Sequence, residues 1–442
     1  MKVEMSEHLT YKKILKVTFP SILMMLFTSI YSIVDGLFIS NTAGKVAFAA
    51  VNLMMPILMM IGALGFMMGS GGTALVAKTL GEGDKEKANK IFSQIVIFTF
   101  ILGIIVSLIV FFFIKPIALA LGATEEMLPY CIKYSRVMII FETMFMLQNA
   151  FQNLFMAAGK PLMGFIVSLS AGLINIIGDS ILVGILKYGV IGAAIATGAS
   201  QTIAAFVPII YFSRNNSSYL KFSKTSLSFK TIIKAASNGA SELLSNVSQS
   251  LVSMVYNKQL ISYAGDNGVS AYGVIMYVGY MFAAIYMGYA MGQSGYVSYN
   301  YGAQNNSELK NIKKKSLTIN VVFGIIMLVL VEILAYPLSS IFVGYDKDLL
   351  NLTSNGFRIY GICYLISGIN IYTSSFFTSL NNGLISGISS TMRTLVFQIV
   401  AVIVLPIIFG INGVWSSIIV AEALALILNV FFFIKFRKKY NY

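Results

Sequence analysis

Residues 91–114 read IFSQIVIFTFILGIIVSLIVFFFI, an uncharged stretch closed by Lys90 on one side and Lys115 on the other. As a helix rising ~1.5 Å per residue it is long enough for the ~30 Å hydrocarbon core of a bilayer. Lipid offers no hydrogen bonds, so a segment of this kind satisfies its backbone internally and spans as a helix. Working outward, eleven more such segments follow the same reading, giving 14–40, 47–77, 91–114, 127–155, 163–186, 190–212, 232–260, 268–299, 316–340, 349–379, 385–409 and 413–436. Of the 442 residues, 57% are hydrophobic and 11% are charged, less than half the ~25% charged of a soluble domain. Mean hydropathy is +0.80. These values exclude a soluble enzyme, a nucleic-acid binder and a disulfide scaffold. The fold class is an all-α integral membrane protein with twelve transmembrane helices.

The net charge of +14 is explained by where the cations lie. Twenty-two Lys and Arg fall in the tails and the even-numbered connections, against five in the odd-numbered ones. By the positive-inside rule both termini are cytoplasmic. The first apolar run is too long for the ~7–15-residue core of a signal peptide and is retained as a helix. Cys131 and Cys363 are the only cysteines and His8 the only histidine, so neither a disulfide framework nor a histidine metal site is available. Gly69-Ser70-Gly71-Gly72 lacks the lysine and the preceding strand of a phosphate loop. No cofactor is expected.

The polar break near the middle, Ser213 to Lys230, divides the chain. The expected organisation is an N-lobe at 1–212, a cytoplasmic linker at 213–231 and a C-lobe at 232–442. Shifting the sequence by 221 residues lays Leu80-Gly81 over Tyr301-Gly302, Gly103-Ile104-Ile105 over Gly324-Ile325-Ile326, Lys115-Pro116 over Tyr336-Pro337, and Gly189 over Gly410. Six helices is an even number, so the two halves are parallel, pseudo-symmetric six-helix lobes about an axis along the membrane normal, with a cleft between them suited to alternating access.

Six acids fall inside the spans: Asp35, Glu142, Asp179, Glu242, Glu332 and Glu422. Each costs at least ~2.5–3.5 kcal/mol at a helix centre, so each needs a reason. Asp35 shares a face of the first helix with Thr28 and Ser32, and Pro20 can bend that helix near its start. Asp179 lies one turn after Asn175 on a face extended by Ser168 and Gly172. Carboxyls that are neutral when dry and ionised when wet suit H⁺ or Na⁺ coupling. Glu242 heads a polar stripe of Asn238, Ser245, Gln249 and Tyr256 in the seventh helix. With Met276, Tyr280 and Met287 of the eighth it describes an acidic, aromatic and thioether wall suited to lipophilic cations. Asn149 and Asn153 are assigned to the same cavity. Glu142 and Glu422 read as polar glue between helices. Glu332 reads as reaching the outer interface, and Arg393 as snorkelling to the cytoplasmic surface, with a role in the cavity as the alternative.

Four stretches carry a family resemblance along nearly the whole chain: Val34-Asp35-Gly36-Leu37-Phe38-Ile39; Ala77-Lys78-Thr79-Leu80-Gly81-Glu82-Gly83-Asp84; Gly292-Gln293 with Tyr299-Asn300-Tyr301-Gly302-Ala303; and Gly410-Ile411-Asn412-Gly413-Val414-Trp415. The sequence resembles a bacterial multidrug and toxic compound extrusion (MATE) transporter. The resemblance implies a V-shaped pair of lobes around a central cavity in the bacterial cytoplasmic membrane. It implies a monomer that exports amphipathic, often cationic, drugs in exchange for H⁺ or Na⁺. It places a cation site on Asp35, Asn175, Asp179 and Thr197, with Pro20 as the bending proline of the first helix. Ser241-Glu242-Leu243 resembles a glutamate-bearing branch of these exporters. No carboxylate lies between Tyr360 and Ser375, so a C-lobe aspartate site is not matched. The alternative is a lipid-linked oligosaccharide flippase of the same superfamily, which calls for a more cationic cavity than these spans supply.

Overall fold

The computed structural model describes residues 4–42 and 45–442, except the side chains of residues 32–37, 39–42, 45 and 48. Among the described residues the regular structure is all helix. The first half supplies α1 (Tyr11–Thr42), α2 (Lys45–Gly81), α3 (Lys85–Ala120), α4 (Leu128–Ala157), α5 (Pro161–Asp179, prolonged by a π turn at Ser180–Ile185) and α6 (Gly189–Ser213). A helical run Phe229–Gly302 then breaks at Gly265, whose φ of 58° only glycine adopts readily, into α7 (229–264) and α8 (266–302). There follow α9 (Asn306–Val343), α10 (Lys347–Gly361 and Tyr364–Ser379), α11 (Gly383–Thr391, a π turn at Met392–Val396, and Phe397–Phe409) and α12 (Ile411–Tyr440). Twelve helices thus stand where twelve apolar segments were read. The helix α1 runs without interruption through Pro20.

Polarity is inverted relative to a soluble protein. Phe112, Ile185 and Ile407 are about three-quarters exposed, whereas Asn175, Asp179, Asn370 and Ser386 are at 0%. The apolar surface is the lipid-facing one, and the polar groups are kept where helices can satisfy them. This is a multi-pass membrane protein.

The two halves meet along a seam of glycines, and the 221-residue offset reappears there as reciprocal contacts. A Cβ on Gly81 would lie 2.0 Å from the Tyr299 carbonyl oxygen, and one on Gly302 would lie 1.9 Å from that of Lys78. Residues 81 and 302 are offset mates, as are 78 and 299. A second pair repeats the pattern: Gly239 on α7 abuts the Met67 carbonyl of α2, while Gly288 on α8 abuts Ser21 and Ile22 of α1. Only glycine permits backbones to approach this closely. All these contacts lie in the halves of α1, α2, α7 and α8 on the side of the chain termini, so that face, which is also the basic one, is sealed. Away from it the lobes part. A cavity of about 460 Å³ opens there between Ser29 of α1 and Ser253, Asn257, Tyr272, Met276 and Tyr280 of α7 and α8.

Two segments reinforce the sealed face. The stretch between α6 and α7 lies across the first lobe: Lys221 N donates to Asn89 Oδ1 (3.0 Å), Ser223 N to Ser93 Oγ (3.0 Å), and Leu220 is 1% exposed. The segment before α1 reaches the other lobe. Glu308 Oε1 accepts from Leu9 N (2.9 Å), Glu308 Oε2 is 2.7 Å from His8 Nδ1, and Lys315 donates to the Leu9 carbonyl.

Candidate functional site

In the first lobe, Pro161 begins α5 and its apolar residues turn Asn175 and Asp179, one turn apart, onto the buried face. Both are at 0% exposure. Asn175 Nδ2 donates to Thr197 Oγ1 of α6 across 3.2 Å, so three of the four residues assigned to the cation site lie on two adjoining helices. Gly172, one turn earlier, lets Tyr31 of α1 approach; a Cβ there would lie 3.1 Å from its ring. Asp35 belongs to α1, one turn beyond Tyr31, and its side chain lies outside the described residues. The α-helical hydrogen bonding changes to a π turn directly after Asp179, an irregularity common at functional sites because it re-aims side chains without ending the helix.

On the fourth helix the polar face does not line the cavity. Asn149 donates to the Gly62 carbonyl of α2 (3.0 Å) and Asn153 to its own Asn149 carbonyl (3.1 Å); both are buried. Asn149 fastens α4 to α2 and Asn153 bonds within α4, and neither is among the residues that line the cavity, which corrects their assignment to it. Glu142 is at 0% exposure, and neither carboxyl oxygen has a hydrogen-bond partner among the described residues. The expected glue at this position is not formed.

The seventh helix separates into two faces. Asn238 is buried and donates to the Thr378 carbonyl of α10 (2.9 Å), so it too belongs to helix packing rather than to the cavity. Ser245 Oγ lies 2.6 Å from Ser390 Oγ of α11. Glu242 lies between that face and the one carrying Gly239, three residues past the seam with α2, and is half-buried. Gln249 is exposed. Tyr256 is 1% exposed and stacks on Tyr272 with ring centroids 5.0 Å apart and planes at 2°. It therefore stands one layer behind the cavity wall that Tyr272 forms. Met276 and Tyr280 line the cavity; Met287 does not.

The second lobe holds a polar network across three helices. Arg393 Nη1 of α11 donates to Glu422 Oε1 of α12 (3.1 Å), and Asn370 Nδ2 of α10 donates to Glu422 Oε2 (2.6 Å). Asn429 Nδ2 donates to Asn370 Oδ1 (2.9 Å), and Ser389 Oγ to Asn429 Oδ1 (2.6 Å). Arg393 therefore does not snorkel. It lies ten residues beyond Gly383, or ~15 Å up the helix, too deep for a side chain to reach the interface. The glue expected at Glu422 is present, and more elaborate than expected. Asn370 and Ser389 were passed over because an isolated amide or hydroxyl in an apolar helix carries no periodic signal; the depth of Arg393 was the available clue. Glu332 is half-exposed and 3.9 Å from Arg358, as its interfacial reading implied.

Comparison with known proteins agrees with this architecture. The MatE family model matches residues 20–181 and again 243–404. The chain belongs to the MatE family. It is 27% identical over 433 residues to the multidrug export protein MepA of Staphylococcus haemolyticus strain JCSC1435, covering 97% of this chain and 94% of that protein. MepA of Staphylococcus aureus strain MSSA476 is 25% identical over 417 residues, covering 94% and 91%. A solved structure described as the outward-facing conformation of a multidrug resistance MATE family transporter superposes with a TM-score of 0.91 at 23% identity, over 96% of this chain and 95% of that one. A MATE structure in the straight conformation gives 0.91 at 22% identity, covering 96% of each chain. One in the bent conformation gives 0.87 at 23%, over 96% and 94%.

Proposed function

We propose that this MatE-family chain is a secondary antiporter of a bacterial cytoplasmic membrane, exporting amphipathic and often cationic drugs in exchange for H⁺ or Na⁺. It works as a monomer with both termini cytoplasmic, and the arrangement described above is its outward-open state. The observation that carries the reading is the pairing of a glycine-sealed basic face with a cavity between the lobes away from that face. That asymmetry is what alternating access requires of one end state. The multidrug export named for its MepA relatives supports the substrate class, and the 22-to-5 distribution of cations supports the orientation.

In the mechanism, a cation enters at Asp35 and Asp179, with Asn175 and Thr197 supplying the neutral ligands. Neutralising the acids allows the first lobe to repack around α1 near Pro20, and drug leaves the cavity outward. Each charge carried along the membrane potential supplies ~2.3 kcal/mol per 100 mV. The faces of Tyr272 and Tyr280 supply apolar contact within the cavity, and Glu242, three turns nearer the sealed end of α7, supplies the negative charge that draws cationic drugs deeper between the lobes. Efflux of a fluorescent dye from proteoliposomes, with pH and Na⁺ gradients imposed separately, tests the coupling. One gradient is expected to drive export in the wild type and neither in Asp179→Asn. Undiminished gradient-driven export by that variant overturns the coupling site.

A further inference from the structure

At the sealed face, each lobe is crossed by the segment that precedes the first helix of the other lobe. The stretch before α7 crosses α3, where Asn89 and Ser93 accept the Lys221 and Ser223 backbone N–H groups. The stretch before α1 crosses α9. There Glu308 accepts from Leu9 N (2.9 Å) with one oxygen and lies 2.7 Å from His8 Nδ1 with the other, and the Leu9 carbonyl accepts from Asn311 Nδ2 (2.9 Å) and Lys315 Nζ (2.7 Å). Residues 89–93 fall on 310–314 under the 221-residue shift, so the two crossings are reciprocal. The straps also meet. A Cβ on Gly159, in the turn between α4 and α5, would lie 2.7 Å from the ring of Tyr219 in one strap and 3.9 Å from the methyl group of Met5 in the other. Asn300 of α8 donates to the Met5 carbonyl (3.2 Å). The segment 4–10 thus touches both lobes.

The reciprocity is unequal in chemistry. The strap on α3 is held by a neutral amide and a hydroxyl, and α6 and α7 anchor it at both ends. The strap on α9 is held by a carboxylate, whose bonds are the stronger kind. Glu308 is 5% exposed although it stands in the first turn of its helix, and Met5 and Leu9 are each buried to 1%. Its offset mate Lys87 is exposed. Directly after the strap, α1 leans on α8, where Gly292 and Gly288 face Thr18 and Ile22. Opening this face would part α1 from α8 and the strap from α9 together. Water would then solvate Glu308 and the freed backbone groups, so the bonds can be given up without stranding a charge in lipid. We infer that residues 4–10 are a latch with Glu308 as its catch: the latch holds the outward-open state, and its release is a step in opening the opposite side to drug. The inference rests on the alternating-access reading above.

The test is the distance across the sealed face, read by pulsed electron spin resonance on the purified protein in lipid nanodiscs. Nitroxides are placed at Lys87→Cys of α3 and Lys438→Cys of α12, both exposed, with Cys131 and Cys363 replaced by alanine. Closed molecules give a short distance and open ones a long distance. Deleting residues 2–9 is expected to raise the long-to-short ratio about tenfold, and Glu308→Ala about fivefold. His8→Ala is expected to change it by about twofold at most, because the imidazole is 66% exposed and water replaces its bond. Should Glu308→Ala fold poorly, the deletion leaves α9 intact and still gives a signed result. A merely structural segment would lower the unfolding midpoint and leave the ratio unchanged in both variants, and that outcome overturns the inference. If the labelled protein with an intact latch shows a single distance at every pH, Na⁺ and ethidium concentration tried, the alternating-access reading falls and this inference with it. If two distances appear and neither variant shifts their ratio, only this inference falls.

Discussion

The two lobes are offset mates in sequence and reciprocal at their glycine seam, yet they treat buried acid differently. In the second lobe, Glu422 is bound by Arg393 and Asn370 and locked through Asn429 to Ser389. In the first, Asn175, one turn before the acid on α5, is bonded to the Thr197 hydroxyl, and no Lys or Arg occurs within 161–186 or 189–213. An arginine is a cation that cannot leave. An amide and a hydroxyl are ligands that accept a cation which can. On the function proposed above, the first lobe is the one that exchanges ions and the second the one that holds its shape, although both carry one repeated pattern.

This contrast can be broken at several places. The largest effect is expected at the two acids proposed to exchange ions. Asp35→Asn and Asp179→Asn should each reduce dye export in cells to the vector-only level with normal amounts in the membrane, measured by efflux alongside immunoblotting. Export near wild type in either would erase the distinction between the lobes. Next comes the held acid. Arg393→Ala leaves Glu422 buried without its cation and should destabilise the protein by ~3–5 kcal/mol, seen as a lowered unfolding midpoint in detergent. The neutral pair Arg393→Met with Glu422→Gln should recover most of that loss.

A smaller change probes the neutral ligands. Thr197→Val removes the Asn175 partner at ~1 kcal/mol, so the coupling-ion concentration for half-maximal export should rise about fivefold with maximal rate preserved. A fall in maximal rate at unchanged half-saturation would assign Thr197 to conformational change instead. The smallest effect is expected at Glu142. A carboxyl buried without partner or cation is least costly uncharged, and glutamine matches it in size. Glu142→Gln should alter stability by less than ~1 kcal/mol and leave export intact. Loss of export would make Glu142 a second exchanging acid in the first lobe.

Much of the architecture was legible because lipid imposes simple rules. Apolar length gave the helices, and Gly and Pro landmarks gave the 221-residue repeat. The seam confirms that repeat: Gly81 and Gly302 exchange contacts with Tyr299 and Lys78. Residues at i and i+4, such as Asn175 and Asp179, share a face by helical geometry alone. Periodicity could place Asn238, Asn149 and Asn153 on polar stripes, but a stripe has no fixed direction until its neighbours are known. Asn238 and Asn149 proved to fasten helices and Asn153 to bond within its own, while the cavity wall is made by Tyr272, Met276 and Tyr280.

What the sequence determined by itself is the solvent, the number of crossings, their two-fold internal repetition and the bias of positive charge, since each follows from local composition or from spacing along one helix. What only the tertiary structure decided is which acids are bound by cations, which polar faces look inward and which end of the cleft is shut. Those depend on contacts between residues such as Arg393 and Glu422, or Gly239 and Met67, that are distant in the chain and meet only when helices pack.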